Sequence, residues 1–190
     1  ACGWYYEPRP SSLTARFPSR VATMSSGSKG SIYTYKYILI GNAGVGKTVA
    51  ARGFADGKPN ATTQYKATIG VDYALKEFQV GRGAVASVQL WDIAGEQRFG
   101  TMTKTYFRGA HAAIIMFDLV NIVSWEDVDI WRQDVEGKLG ISGPSNRIPI
   151  LVVGNKLDLV TPERPSVVSD EDLAAYISTH HLWKYVKLSA

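Results

Sequence analysis

A short run in the first third of the chain has the residue types and the spacing of a phosphate-binding loop. Residues 41–48 read GNAGVGKT, which fits the pattern G-x-x-x-x-G-K-[ST], and they stand between an apolar run and a segment expected to be helical. The glycines let successive backbone N–H groups face phosphate oxygens, and the first turn of the helix adds unpaired N–H groups and the positive end of its dipole. We therefore expect a nucleoside triphosphate site, with Lys47 reaching the β- and γ-phosphates. The residues expected to contact phosphate are Ala43, Gly44, Val45, Gly46, Lys47 and Thr48.

Two further segments hold residues that could bind Mg²⁺ beside the phosphates. The hydroxyl of Thr48 is one expected ligand, and Asp92, in the run WDIAG at 91–95, could hold the ion, usually through water. Thr68, between the first predicted helix and the second predicted strand, could close over Mg²⁺ and the γ-phosphate. The N–H of Gly95 could meet the γ-phosphate as well. The loop around Thr68 would then be ordered only while that phosphate is bound, which is the behaviour of a switch.

A third segment, NKLD at residues 155–158, could select the base. The Asp158 carboxylate can accept the N1–H and N2–H₂ donors of guanine together, whereas adenine offers no such pair and would leave a buried charge unpaired. We expect Asn155 to tie this loop to the phosphate loop and to the base, and the stem of Lys156 to cover the ring. A charged turn without a ligand is the alternative. Ser189 and Ala190 stand at the next strand end, where a backbone N–H could reach guanine O6.

Apolar runs that alternate with amphipathic segments predict the elements that position these motifs, a doubly wound α/β domain with a mainly parallel sheet. The predicted strands are 33–40, 71–80, 85–91, 112–117, 150–153 and 184–188, and the second and third form an antiparallel hairpin. Helices are predicted at 48–55 and, capped by Ser169, at 169–179. A third helix is predicted from apolar residues at helical spacing, expected in the core: Trp125, Val128, Trp131, Val135 and Leu139. Open α/β sheets bind ligands at the carboxyl ends of their strands, where all the motifs stand.

Composition limits the remaining possibilities. The chain has 190 residues, 45% of them hydrophobic, which is enough for one domain with a full core, and no apolar run reaches the length of a membrane span. The lone Cys2 fits a reducing, cytoplasmic setting. Residues 1–30 hold four basic residues and one acidic residue, hence +3 of the net +4, and the nearly neutral remainder argues against nucleic-acid binding. Their Ser, Pro and Gly content predicts a disordered extension before a folded domain at 31–190.

The motifs, taken in order, resemble those of the Ras superfamily, and several details resemble the Rab family. These details are the runs IGVDY at 69–73, WD at 91–92, RF at 98–99 and YFRGA at 106–110. The resemblance covers about residues 33–190. Ile93, where most Rab proteins carry threonine, and residues 65–75 are similar to the Rab subgroup that serves lysosome-related organelles.

This resemblance implies a P-loop NTPase with the small G-protein fold, a six-stranded, mainly parallel sheet with helices on both faces. It implies Mg²⁺ and GTP or GDP as ligands, and a switch that regulates vesicle and membrane traffic at the cytosolic face of endomembranes. The implied partners are effectors, an exchange factor and a GTPase-activating protein. Tyr73, Trp91 and Tyr106 fall on the aromatic triad with which Rab proteins meet effectors, although all three could equally be partly buried packing residues.

The chain departs from the family pattern next to the γ-phosphate. Glu96 and Gln97 follow Gly95, whereas Rab proteins carry Gln and then Glu. The family's glutamine orients the attacking water with a donor and an acceptor, and a carboxylate only accepts. We expect slow intrinsic hydrolysis, with Glu96 in the catalytic set beside Lys47, Thr68 and Gly95. Rab GTPase-activating proteins often supply a glutamine, so assisted turnover could survive.

Two further departures concern the base and the C-terminal end. The segment from Lys47 to Thr68 is two residues longer than usual, and Ala61 stands where the family stacks a phenylalanine on guanine. Loss of a stacked face worth about 1–3 kcal/mol predicts weaker nucleotide binding or faster exchange. The chain ends at Ala190, before the C-terminal helix and the prenylated cysteines of the family, so a C-terminally incomplete domain is expected.

Two other functions stay open. A GTP-binding scaffold that stays loaded and recruits partners without hydrolysis is favoured by Glu96. A nucleoside kinase or ATPase is disfavoured by Asp158, because a carboxylate at the base site has no paired donors on adenine.

Overall fold

Six strands form one sheet in the computed structural model, which describes residues 31–57, 68, 70–80, 83–95, 103–141, 143 and 147–190. The strands are β1 (Ile32–Ile40), β2 (Val71–Gln79), β3 (Val85–Ile93), β4 (Ala112–Asp118), β5 (Ile150–Asn155) and β6 (Lys184–Lys187). Their order across the sheet is β2-β3-β1-β4-β5-β6. All pairs are parallel except the β2–β3 hairpin. The predicted mainly parallel sheet and its hairpin are therefore confirmed, with strand ends shifted by one or two residues.

Four α-helices are described: α1 (Lys47–Asp56), α2 (Thr103–Phe107), α3 (Ile122–Leu139) and α4 (Asp170–Thr179). A short 3-10 helix, Leu157–Leu159, follows β5. Helix α3 begins after Asn121, whose side chain accepts hydrogen bonds from the backbone of Val123 and Ser124. Helix α4 begins after Ser169, as predicted, and Ser169 accepts a bond from the Asp172 backbone. The short α2 was not predicted, because its five residues are too few to show helical spacing.

The helices cover the two faces of the sheet unequally. Alternate residues of β1 divide between two buried clusters: Ile38 and Ile40 pack with α2, α3 and α4, whereas Leu39 packs with α1. The larger cluster includes Val128, Trp131 and Val135 of α3, and Trp125 and Leu139 are partly buried against it. The predicted core face of α3 is thus confirmed. The prediction of helices on both faces of the sheet is confirmed as well, because α1 and α3 pack on opposite sides of β1.

Candidate functional site

The predicted site residues meet at the carboxyl ends of the parallel strands. Strand register places Leu39 beside Asp92, Asp118 beside Asn155, and Gly154 beside Lys187. The loops that follow β1, β3, β5 and β6 therefore leave the sheet at one edge. This edge is where open α/β sheets form ligand sites.

The phosphate loop has the backbone that its sequence predicts. Gly44 and Gly46 have φ of 76° and 100°, values that favour glycine. Gly46 is the residue before α1 and contributes no side chain to cap it, and no acidic residue stands in the first helical turn. Val45 is buried and anchors the loop between these glycines. The N-terminus of α1 is therefore arranged to receive an anion.

Lys47 lies buried beneath this loop. Its Nζ donates to the carbonyl oxygens of Gly41 and Asn42, at 2.9 Å each. Burial lowers the pKa of Lys47 from 10.5 to about 8, although the nearby Asp92 carboxylate opposes the shift. The hydrogen bonds of the ammonium group go to neutral carbonyl oxygens, and the nearby negative charge is that of Asp92. A phosphate would add a second negative charge.

Three oxygen-bearing side chains meet beside Lys47. The Thr48 hydroxyl donates to Asp92 Oδ2 at 2.5 Å and lies 2.7 Å from the Thr68 hydroxyl. The other carboxylate oxygen, Asp92 Oδ1, is buried without a hydrogen-bond partner among the described residues. Burial raises the pKa of Asp92, and the Thr48 bond and the Lys47 charge oppose that rise. Two hydroxyls and a partly unsatisfied carboxylate are oxygen donors of the kind that Mg²⁺ prefers, so these residues fit the ion.

Within the residues that the structure describes, no group of three or more His, Cys, Asp or Glu side chains is placed to hold a metal ion.

Gly95 packs directly against the phosphate loop. A Cβ atom at this position would lie 2.5 Å from the Ala43 backbone nitrogen and 2.8 Å from the Gly41 carbonyl oxygen. Only glycine fits without a shift of the backbone, because both neighbours are main-chain atoms. The chain after β3 therefore enters the phosphate site at the place where a γ-phosphate contact is predicted.

The predicted base-binding residues form one connected group. Asn155 donates from Nδ2 to the Val45 carbonyl oxygen at 2.8 Å and accepts from the Ala190 backbone N–H at 3.0 Å. The Ser189 hydroxyl donates to the Asp158 carboxylate. Asn155 thus joins the phosphate loop to both loops expected to face guanine.

Lys156 has a partner that the sequence analysis missed. Lys156 adopts a left-handed backbone with φ of 64°, and its Nζ lies 2.8 Å from Oδ2 of the buried Asp118. The other oxygen of Asp118 accepts the backbone N–H of Val120. Asp118 ends β4 just as Asn155 ends β5, so an acidic residue at a strand end was the available signal.

The aromatic residues of the predicted effector surface are placed differently from one another. Tyr73 is 64% exposed and stacks on Trp91, with ring centroids 6.2 Å apart. The Lys36 ammonium lies 3.9 Å from the centroid of the Trp91 ring, a cation–π contact that the sequence analysis did not identify. Tyr106, on α2, is partly buried against the larger core cluster. Tyr106 therefore packs on the core with part of its side chain, and only the remainder is available to a partner.

Several predicted positions lie outside the described residues. These are Glu96 and Gln97, the run 98–99, Ala61, and residues 1–30. Slow hydrolysis, the missing stacking residue and the disordered extension stay predictions.

Comparison with known proteins shows which family shares this arrangement. The Ras family model matches residues 36–190. The chain belongs to the Ras family. Among its relatives, Ras-related protein Rab-32B of Dictyostelium discoideum is 44% identical over 131 residues, which are 68% of this chain and 48% of that protein. GTP-binding protein yptV5 of Volvox carteri is 36% identical over 155 residues, 82% of this chain and 73% of that protein.

Human Ras-related protein Rab-7L1 is 38% identical over 127 residues, 67% of this chain and 61% of that protein. The chain thus spans about half to three fifths of the length of several curated relatives that it matches. The recognition of a Rab small GTPase is confirmed, and the Rab-32 matches support the subgroup that serves lysosome-related organelles. The small G-protein fold is confirmed as well. Within the described residues, no helix is long and apolar enough to cross a membrane.

Proposed function

We propose that this Rab chain is a GTP/GDP-controlled switch that regulates vesicle and membrane traffic by recruiting effectors. One observation carries the proposal: Asn155 bonds the Val45 carbonyl oxygen of the phosphate loop and so holds the predicted guanine-binding and phosphate-binding segments together. A kinase or ATPase is disfavoured, because the same hydrogen-bonded group includes Asp158, whose carboxylate suits the paired donors of guanine and has no such pair on adenine.

The proposed binding mechanism uses residues already paired in the structure. Lys47 would exchange its bonds to the Gly41 and Asn42 carbonyl oxygens for phosphate oxygens. When bound, Mg²⁺ supplies charge neutralisation at the phosphates, and Thr48, Thr68 and Asp92 would hold it. The hydroxyls of Thr48 and Thr68 lie 2.7 Å apart, so a metal held by both would couple the position of Thr68 to the bound nucleotide. The exposed Tyr73–Trp91 stack would then report the state of the switch to an effector.

The proposed catalytic step is slow hydrolysis of GTP to GDP and phosphate. Lys47 and the Gly95 N–H would stabilise charge on the γ-phosphate, and Glu96 would stand where water must be oriented. We propose effectors, an exchange factor and a GTPase-activating protein as partners. The proposed place of action is the cytosolic face of endomembranes, reached through a prenylated tail where the full-length protein carries one.

Nucleotide selectivity tests the binding part of the proposal. Fluorescent mant-GDP should be displaced by GTP and GDP but not by ATP. Asp158→Asn should weaken GDP binding at least about tenfold, because an amide cannot accept two guanine donors, and it should favour xanthine nucleotides, whose C2 oxygen accepts. Glu163→Gln, which removes an exposed carboxylate between β5 and α4, is the matched control. Equal displacement by ATP and GTP would overturn the proposal.

Single-turnover hydrolysis separates the switch from the loaded scaffold. Preloaded GTP should be hydrolysed slowly by the wild type and about 10- to 100-fold faster by Glu96→Gln, because glutamine both donates to and accepts from water. No hydrolysis in either protein, with or without a Rab GTPase-activating protein, would favour the scaffold. Equal rates in the two proteins would contradict the role of Glu96.

A further inference from the structure

Asn42 connects the phosphate loop to helix α3 through its side-chain amide. Its Nδ2 donates to Asp127 Oδ2 at 2.7 Å, and its Oδ1 accepts from the indole N–H of Trp131 at 2.8 Å. An indole only donates and a carboxylate only accepts, so the side chain between them must both accept and donate, as the Asn42 amide does in this orientation. Asn42 occupies a position that the phosphate-loop pattern leaves open to any residue.

Helix α3 holds the two partners of Asn42 rigidly. Asp127 and Trp131 are four residues apart and therefore share one face of the helix. Trp131 is only 2% exposed and belongs to the larger core cluster, together with Val128 and Val135. Its indole donor is thus fixed by the packing of the whole α3 face.

The backbone of Asn42 belongs to the phosphate site. Its carbonyl oxygen accepts from Lys47 Nζ at 2.9 Å. Its carbonyl carbon lies 2.7 Å from where a Cβ atom on Gly95 would stand. Holding the Asn42 side chain therefore holds the peptide that supports Lys47 and borders Gly95.

The rest of the loop gains from such an anchor. Gly44 and Gly46 adopt positive φ values, and glycine has more backbone freedom to lose than any other residue. An anchor at Asn42 restricts that freedom before a ligand arrives, which lowers the ordering entropy that binding must overcome.

We propose that Asp127 and Trp131 are positioning residues of the nucleotide site, which act through Asn42 to set how long a bound nucleotide is retained. This inference rests on the proposed function, guanine-nucleotide binding. Neither residue touches the nucleotide in this scheme. Their effect is on the geometry of the loop, so it should appear in the rate of nucleotide release.

A polarity exchange tests the inference. Asn42→Asp would set two carboxylates at the present 2.7 Å contact, and we expect mant-GDP release to become about 10- to 100-fold faster, as for loss of a charged hydrogen bond. Adding Asp127→Asn restores one amide and one carboxylate with their roles reversed, while the acidic group still accepts from Trp131. Release from the double variant should return to within about threefold of the wild type.

The double variant also separates anchoring from simple charge repulsion. It has the wild-type net charge, but its carboxylate lies in the phosphate loop itself. If repulsion of phosphate were the cause, release would stay fast in the double variant, and the inference would be overturned. Asp134→Asn is the matched control, because it breaks a 2.7 Å ion pair with Lys138 on the same helix. It should leave release unchanged.

Trp131→Phe provides a second test that preserves an aromatic ring in the core but removes the donor. It should speed release more than its fall in melting temperature explains, judged against Val135→Ala, another buried α3 residue. If the wild type retains GDP and neither Asn42→Asp nor Trp131→Phe changes the rate of release, this inference alone is overturned. Failure of the wild type to bind any guanine nucleotide would overturn the proposed function and the inference with it.

Discussion

Lys47 carries a charge in surroundings that stabilise it only partly. Its two described hydrogen-bond acceptors are carbonyl oxygens, and burial lowers its pKa to about 8. Between about pH 8 and 10.5 the unfolded chain binds more protons at this lysine than the nucleotide-free fold does. The stability of the nucleotide-free fold should therefore rise with pH across that window. A triphosphate favours the protonated form, so nucleotide affinity should change in the opposite direction.

We predict that nucleotide affinity falls as pH rises above 8. Between pH 8 and pH 9 the loss attributable to Lys47 should be about fivefold, because the lysine is already half deprotonated at pH 8 and must be protonated on binding. Titrations of mant-GDP from pH 7 to pH 9 measure it. Lys47→Met should bind weakly and show only the smaller pH dependence that comes from the nucleotide itself. The same slope in both proteins would contradict the prediction.

At this scale the sequence predicts the residues that chemistry restricts and misses those that only proximity reveals. The pattern demands Lys47 and Thr48 by type, and Asp158 follows from the donors of guanine. Asn42 stands at an unrestricted position, and its partner Trp131 lies 89 residues further along the chain. No local pattern joins them, because their contact depends on how α3 packs on the sheet.

At the scale of elements, the register of β4 against β5 brings Asp118 to the guanine-binding loop. Asp118 lies beside Asn155, and its carboxylate holds the Lys156 ammonium at 2.8 Å. The left-handed backbone at Lys156 turns the loop, so the ion pair fixes where the lysine stem runs. A stem expected to cover the guanine ring is thus held from the neighbouring strand.

We predict that Asp118→Asn shortens nucleotide retention by about 3- to 10-fold, the loss expected for one charged hydrogen bond that is partly exposed. Lys156→Met should act in the same direction. The double variant should be little worse than the more severe single variant, because both remove one interaction. Release of mant-GDP from all four proteins measures the coupling. Strict additivity would contradict it.

Elements long enough to show a repeat are predicted well. The hydrophobic spacing of α3 and the β2–β3 hairpin appear in the structure as expected. Helix α2 has five residues and no visible period, and it takes its place because Phe107 is buried in the larger core cluster. Its helical form depends on tertiary contacts more than on local preference.

At the scale of the whole molecule, the site joins the two sides of the sheet. The phosphate loop and α1 meet the smaller cluster through Val45 and Ala51, whereas Asn42 reaches α3 and the larger cluster. A ligand at the phosphate loop therefore contacts a segment connected to both cores. Nucleotide binding should consequently raise the stability of the entire domain as well as order the loop around Thr68.

Replacing Asp92 should affect stability in opposite directions in the absence and in the presence of Mg²⁺ and nucleotide. Burial raises the pKa of its carboxyl group, so the ionised form destabilises the metal-free fold. Asp92→Asn should therefore melt at a higher temperature than the wild type when both are free of nucleotide and Mg²⁺. With Mg²⁺ and GDP at 100 times Kd, the wild type should gain about 2.7 kcal/mol, or about 5–10 °C, and the variant distinctly less at the same ligand concentration. EDTA should remove the Mg²⁺-dependent part of the gain from the wild type, because that part requires the carboxylate to hold the metal. Asp134→Asn should follow the wild type throughout, and an equal Mg²⁺-dependent gain in Asp92→Asn would exclude Asp92 from the metal site.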